Sequence, residues 1–109
     1  MHAVQTDVVF PISAKFDKNF TKSDKKSLAD AIVAKFMPRE EEITEIIHKS
    51  KGWGWVITNG EMVKARAWLL SYGLECSYEG AAALTALWKA KNQGYEFKNP
   101  VCILTGKYY

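Results

Sequence analysis

Two apolar segments in the last third of the chain most constrain its fold. Residues 79–92 are alanine-rich, with apolar side chains over much of a helical circumference, which predicts a helix packed on several sides. Residues 101–104, Val-Cys-Ile-Leu, show no polar alternation, as expected of a strand buried on both faces. A chain that buries both segments needs layers of helix and sheet.

Two earlier stretches have strand composition. Residues 2–7 and 53–58 are rich in β-branched or aromatic side chains, which favours strands. Trp53 and Trp55 flank a glycine and could form a stacking platform, but core packing of a strand is the favoured interpretation. Residues 27–36 fit a short helical turn that passes into an extended segment.

Two further helices are indicated between and after these strands. Residues 38–49 begin with Pro-Arg and three glutamates, which suit a helix start, and Gly52 is expected to stop the helix. Thr58 and Glu61 form a capping-box pattern at the start of a helix over residues 59–72. The side chains expected to face the core are Ile43, Ile46 and Ile47 in the first helix, and Met62, Ala65, Trp68 and Leu69 in the second.

The order strand, helix, strand, helix, helix, strand predicts an α/β fold: a layered, mostly parallel sheet with flanking helices. At 109 residues the chain is expected to be one domain or a fragment of one. A core-strand pattern that starts almost at Met1 favours a fragment or an excised domain.

Composition narrows the classes of partner. The charge of +3 comes from 15 basic and 12 acidic residues scattered along the chain, without the basic stripe that nucleic-acid binding needs. There is no signal peptide and no run long enough to cross a membrane. The two cysteines and two histidines fit no metal-ligand spacing, so we expect a reduced, cytoplasmic setting, and neither nucleic acid nor membrane as a partner.

Thr105 and Gly106 follow the last predicted strand, and in open α/β sheets ligands bind beyond the carboxyl ends of strands. A hydroxyl opposite a pyridine nitrogen does not favour its protonation as a carboxylate would. Alternatively, Thr105 caps the strand and Gly106 makes a turn. Glu79 is a helix cap or dipole partner, or lies beside a ligand, and Gly80 permits close approach of a ligand or of another helix.

Several short motifs, in order, resemble the threonine synthase-like branch of the tryptophan synthase beta-like family of pyridoxal-phosphate enzymes. The two most specific are S-Y-E-G-A-A-A-L and L-T-G, which resemble the family's E-x-x-S/E-G-A-A helix start and its Leu-Thr-Gly strand end. The weaker ones are V-Q-T-D at residues 4–7, K-S-L-A-D-A-I at 26–32, P-R with E-I at 38–43, and the segment 58–69, which resembles T-D-E-E-I-x-x-A-x-x-x-L with Asn59 and Gly60 in place of two acidic residues.

The resemblance implies part of a cofactor pocket. Thr105 would hydrogen-bond the pyridine nitrogen of pyridoxal phosphate, Gly106 would follow it, and Glu79 and Gly80 would lie near the cofactor's face. No segment resembles the family's Schiff-base lysine motif or its glycine-rich phosphate loop. The resemblance therefore implies a piece of a lyase of amino-acid metabolism that is inactive alone and does not retain the cofactor.

Two matters stay open. The residues at 77–79 stand where many members have Glu, Pro and Ser, so the parent reaction is threonine synthesis or a related dehydratase, lyase or β-replacement step. The partner is the remainder of the parent enzyme or a second copy. The alternative function is a free-standing α/β interaction module that self-associates through an exposed sheet edge and apolar faces.

Overall fold

The structure, a computed structural model, describes residues 1–29, Ile32 and residues 37–105. It is a small α/β domain with a two-stranded parallel sheet and three helices. The elements are β1 (Ala3–Thr6), a 3-10 helix (Ser13–Lys15), α1 (Glu40–Lys49), β2 (Gly54–Ile57), α2 (Asn59–Ser71) and α3 (Tyr78–Asn92).

The two strands lie parallel, with Ala3 opposite Gly54 and Thr6 opposite Ile57. Backbone hydrogen bonds of 2.9 Å mark the two ends of this pairing: Ala3 N donates to the Trp53 carbonyl, and Asp7 N donates to the Ile57 carbonyl. A parallel pair needs a long crossover, and here it contains α1. The strands predicted at residues 2–7 and 53–58 are thus confirmed, whereas most of the prediction for residues 27–36 falls outside the described residues.

Helix α3 owes its apolar circumference to two separate packing surfaces. Ala82, Ala86 and Ala90 pack with Trp55 and Ile57 of β2. A second surface of α3 packs on α2 in a cluster of Ala65, Leu69, Cys76, Ala81 and Leu84. The prediction that this helix is packed on several sides is confirmed.

The other face of the sheet is covered by the 3-10 helix and α1. Ile12, Phe16 and Ile47 form the cluster there. A side chain at Gly54 would come within 2.8 Å of the Cα of Ser13, so glycine allows the strand and the 3-10 helix to touch. Ile47 is fully buried, but Ile46 is 44% exposed, which corrects the predicted stripe of three isoleucines. The buried line of α1 runs through positions i and i+4, and Ile46 lies beside it.

The helix ends differ in detail from the sequence predictions. Helix α1 begins at Glu40, after Arg39 in the capping position, rather than at Pro38. The backbone turns at Lys51, with φ of 56°, and not at Gly52. Gly52 is needed for another reason, since a side chain there would overlap the Met1 carbonyl.

Helix α2 starts with the predicted capping box. Thr58 Oγ1 accepts from Glu61 N at 3.2 Å, and Glu61 Oε1 accepts from Thr58 N at 3.3 Å. Gly73, with φ of 77°, follows its end as predicted. Trp68 was expected in the core but is 46% exposed, and it packs edge-on against Trp88 at the surface.

The strand predicted at residues 101–104 is wrong for the described structure. The segment is coil, and Val101, Ile103 and Leu104 are 86%, 72% and 39% exposed. An apolar run forms a strand only where a sheet edge offers it backbone partners. In the described sheet the outer edge of β2 is occupied at Val56 by the side chains of Asp17 and Lys89, and residues 101–104 do not pair with the outer edge of β1.

Candidate functional site

The carboxyl ends of β1 and β2 lie at the same edge of the sheet because the strands are parallel. Asp7 follows β1, and Thr58 follows β2 and caps α2. Ligands of open α/β sheets bind at this edge. The candidate site is therefore this end of the sheet and the side chains that surround it.

Lys89 of α3 lies near this end of the sheet and binds the side of β2 that faces away from β1. Its Nζ donates to Asp17 Oδ2 at 2.6 Å, to the Val56 carbonyl at 2.6 Å and to the Asn19 carbonyl at 3.1 Å. Asp17 Oδ2 in turn accepts from Val56 N at 2.9 Å. Because alternate residues of a strand point their backbone groups away from the partner strand, Val56 faces outward, and this ion pair replaces a third strand.

The ion pair is deeply buried. The side chain of Asp17 is 1% exposed and that of Lys89 is 11% exposed. Desolvation on burial, the largest effect, acts to raise the pKa of Asp17. Hydrogen bonds from Lys89, Val56 and Asn19, with the charge of Lys89, outweigh it and lower that pKa. Asp17 is therefore a carboxylate, and Lys89 is its ammonium partner rather than a free nucleophile.

Asp7 is the second carboxyl group at this edge. It is 6% exposed, and among the described residues its Oδ1 has no hydrogen-bond partner. Burial raises the pKa of Asp7, and the nearby charge of Glu61 raises it further, against the effects of its own backbone N–H and of Lys89. The edge thus combines one ionised carboxylate with one whose ionisation is disfavoured.

A polar cleft of about 390 Å³ opens beside this ion pair. Its size falls within the usual range for small-ligand pockets. Most of the residues that line it have amide, hydroxyl or charged side chains, and Trp88 adds an apolar ring. Its lining residues include Asn19, Glu61, Lys64, Thr85, Lys89 and Asn92.

The predicted cofactor residues that the structure describes lie in two parts of it, the coil after α3 and the first turn of α3. Thr105 lies exposed in coil, and Gly106 falls outside the described residues. Glu79 and Gly80 lie in the first turn of α3, where Ser77 Oγ accepts from Gly80 N at 3.2 Å. None of the three described residues lines the polar cleft. Their roles toward a cofactor stay predictions.

Sequence reasoning missed Asp7, Asp17 and Lys89. Asp7 carried a usable signal, since it follows a predicted strand at its carboxyl end. The pair of Asp17 and Lys89 carried none, because 72 positions separate the two residues and only the fold brings them together.

Other classes of site find little support in the part of the chain that the structure describes. No group of three histidine, cysteine or carboxylate side chains is placed to hold a metal ion there. Cys76 and Cys102 are free thiols, and burial raises the pKa of each. No described helix combines the length and the apolar character that crossing a bilayer requires.

No family model, no curated protein and no solved structure matches this chain.

Proposed function

We propose that this chain is the later part of the cofactor-binding region of a pyridoxal-phosphate-dependent, threonine synthase-like enzyme, and that it is inactive alone. The ordered motifs around residues 77–84 and 104–106 are the sequence basis for this proposal. The parallel α/β fold is compatible with it. In the parent enzyme Thr105 and Gly106 would contact the cofactor ring, with Glu79 and Gly80 near its face.

The exposed apolar tail is the observation that supports this proposal best. Residues 101–104 form an unbroken apolar run, and within it Val101 and Ile103 are 86% and 72% exposed. A contiguous apolar segment in water is typical of a surface that packs against another protein surface. In the proposed parent, the remaining strands of the sheet would cover it.

The described residues fit the ring end of the cofactor better than its phosphate end. The exposed Thr105 hydroxyl is accessible to a ring nitrogen as donor or acceptor. A phosphate needs a cluster of free backbone N–H groups, whereas at the start of α3 the Ser77 side chain already caps Gly80 N. Pyridoxal phosphate supplies the electron sink of such enzymes, and the rest of the parent would hold its phosphate.

The expectation of inactivity alone rests on the absence of the family's Schiff-base lysine motif from the sequence, and the described lysines of the two long helices are consistent with it. Covalent attachment of the cofactor needs an uncharged amine positioned at its aldehyde. Lys89, the lysine buried at the sheet edge, is committed as an ammonium to Asp17 and two carbonyls. Lys91 is exposed on a helix surface, and Lys64, also exposed, lies in the wall of the polar cleft, which contains none of the predicted cofactor residues that the structure describes. We therefore expect no specific attachment to this chain.

Borohydride trapping tests this expectation. The chain is incubated with micromolar pyridoxal phosphate, with excess free lysine to suppress adventitious attachment, then reduced and weighed by intact mass spectrometry. The mass should stay unchanged, as it should in a Lys89→Met variant treated in the same way. One cofactor per chain at a single lysine would contradict the proposal, and loss of that label in the variant would identify Lys89 as its site.

Self-association is a second candidate function, favoured by four exposed apolar side chains on and just after the last turns of α2. Trp68, Leu70, Tyr72 and Leu74 are 46%, 53%, 69% and 51% exposed. Sedimentation of the wild type and of a Leu70→Ser/Tyr72→Ser variant separates the two candidates. An interaction module should form dimers that the variant abolishes, whereas a monomer at all concentrations would remove this candidate.

A further inference from the structure

A second cleft, of about 430 Å³, lies between the sheet and the coil that follows α3. Val4 and Trp55 of the two strands form its floor. Small side chains leave the space, because Ala83, Ala86 and Ala90 share one stripe of α3. Its volume suits a small ligand, and it shares no lining residue with the polar cleft.

His2 contributes a polar group to this apolar cleft, and its hydrogen bond to Trp55 defines which nitrogen carries the proton. His2 Nδ1 accepts a hydrogen bond from Trp55 Nε1 at 3.1 Å, so the neutral imidazole carries its proton on Nε2. Burial lowers the pKa of His2, and the chain's N-terminal ammonium lowers it further. Among the described residues, no protein acceptor takes the Nε2 proton.

Aromatic neighbours hold His2 in place. Its ring stacks with that of Trp55, with an interplanar angle of 16°. The edges of Tyr95 and Phe97 contact it, with ring centroids 5.2 and 5.6 Å away. Tyr95 is itself fixed, since its hydroxyl donates to the Lys51 carbonyl at 2.9 Å. The result is a preorganised aromatic wall of His2, Trp55 and Phe97 that carries the His2 N–H donor.

No aspartate, glutamate, lysine or arginine side chain lines this cleft. Met1 also lines it, with its N-terminal ammonium donating to Ser50 Oγ at 3.0 Å, but the rest of the lining offers a charged ligand no opposite charge to offset the loss of its water. We propose that the cleft binds an uncharged aromatic or heteroaromatic molecule that offers one hydrogen-bond acceptor to His2 Nε2. The cleft shares Val101 and Ile103 with the tail that the proposed parent would cover, so the site is proposed for this chain alone. Its test uses no cofactor, and its outcome is therefore separate from that of the borohydride experiment.

Quinoline and naphthalene provide a matched pair of probes. They have the same shape, but only quinoline carries an acceptor, and it is uncharged at pH 7.5. Titration is followed by the NMR signal of the Trp55 indole N–H, which bonds to His2. Quinoline should bind about fivefold more tightly than naphthalene, the worth of one net hydrogen bond. Equal affinities, or no shift with either probe, would overturn the proposal without any need for a variant.

Variants then locate the site. In His2→Phe the ring remains but the donor is lost, so the affinity ratio of the two probes should fall to about one. Ala83→Phe fills the cleft and should abolish binding of both probes, whereas Ala67→Phe, on the exposed surface of α2, should change neither. Undiminished binding to Ala83→Phe, with the fold verified by its NMR spectrum, would refute the location.

Discussion

Replacing Lys89 with methionine should destabilise the fold by about 3–5 kcal/mol, because it leaves a buried carboxylate unpaired. Methionine keeps much of the lysine stem, so packing changes little. Asp17, 1% exposed, would retain only its bonds from the Val56 and Asn19 N–H groups, and the Val56 carbonyl would lose its donor. Urea denaturation followed by tryptophan fluorescence at pH 7 measures the loss.

Lys91→Met is the matched control, since Lys91 lies exposed on the same helix. It should cost no more than about 0.5 kcal/mol. A double Asp17→Asn/Lys89→Met variant should lose less than the sum of the two single variants, because no uncompensated charge stays buried. If Lys89→Met and Lys91→Met lose equal stability, the ion pair does not hold the edge of β2.

The pH dependence of the Lys89→Met loss provides a second check. The folded-state pKa of Asp17 is lowered, so its contribution is complete above the unfolded-state pKa, about 3.9, and disappears as the pH falls through the folded value. Without Lys89, desolvation dominates and that pKa rises. The gap in stability between wild type and variant should therefore be largest near neutral pH and shrink in acid. A gap that is constant from neutral pH into acid would contradict this assignment.

Four further substitutions, one of them a control, test other parts of the structure. Asp7→Asn should stabilise the protein at pH 7, because the raised pKa of Asp7 means that folding disfavours its ionisation. The gain should vanish below about pH 4, where Asp7 is protonated in both the folded and the unfolded state. A loss of stability at pH 7 in urea titrations would contradict this. Gly54→Ala should cost about 1–3 kcal/mol of stability, because the new side chain would clash with Ser13 and Phe16. Its control, Gly60→Ala in the open first turn of α2, should be neutral or stabilising by up to about 1 kcal/mol. Thermal melts that rank the two variants the other way would refute the packing described here. Thr58→Ala should lower stability by about 1 kcal/mol through loss of the capping box, and an unchanged melting temperature would oppose it.

Local sequence signals predicted most of the helices and the two strands. The capping box at Thr58 and the glycine at Gly73 act within one turn, so their spacing is sufficient to mark the ends of α2. Alternation of strand and helix patterns similarly indicated the parallel pairing of β1 and β2. The bounds of each element depend on residues a few positions apart, and the order of the elements along the chain was sufficient to indicate the pairing.

The sequence predictions failed where contacts between residues far apart in the chain determine the structure. The apolar run at residues 101–104 has the composition of a strand, yet a strand also needs backbone partners at a sheet edge. At Val56 the side chains of Asp17 and Lys89 occupy the edge of β2, and the run does not pair with β1. Trp68 has core periodicity but lies at the surface beside Trp88. The apolar cleft was equally hidden, because it depends on His2 meeting Trp55 across the sheet.

The central claim is that this chain supplies the ring-contacting part of a cofactor pocket whose lysine belongs to another segment. It is tested most directly by coexpressing the chain with the amino-terminal portion of a threonine synthase that ends before its V-Q-T/A-E/D strand, then locating borohydride-fixed cofactor by peptide mass spectrometry. The account predicts label on the added portion's lysine alone, only when this chain is present, and weaker with Thr105→Val. Label on a lysine of this chain, or equal labelling of the added portion without it, would contradict the account.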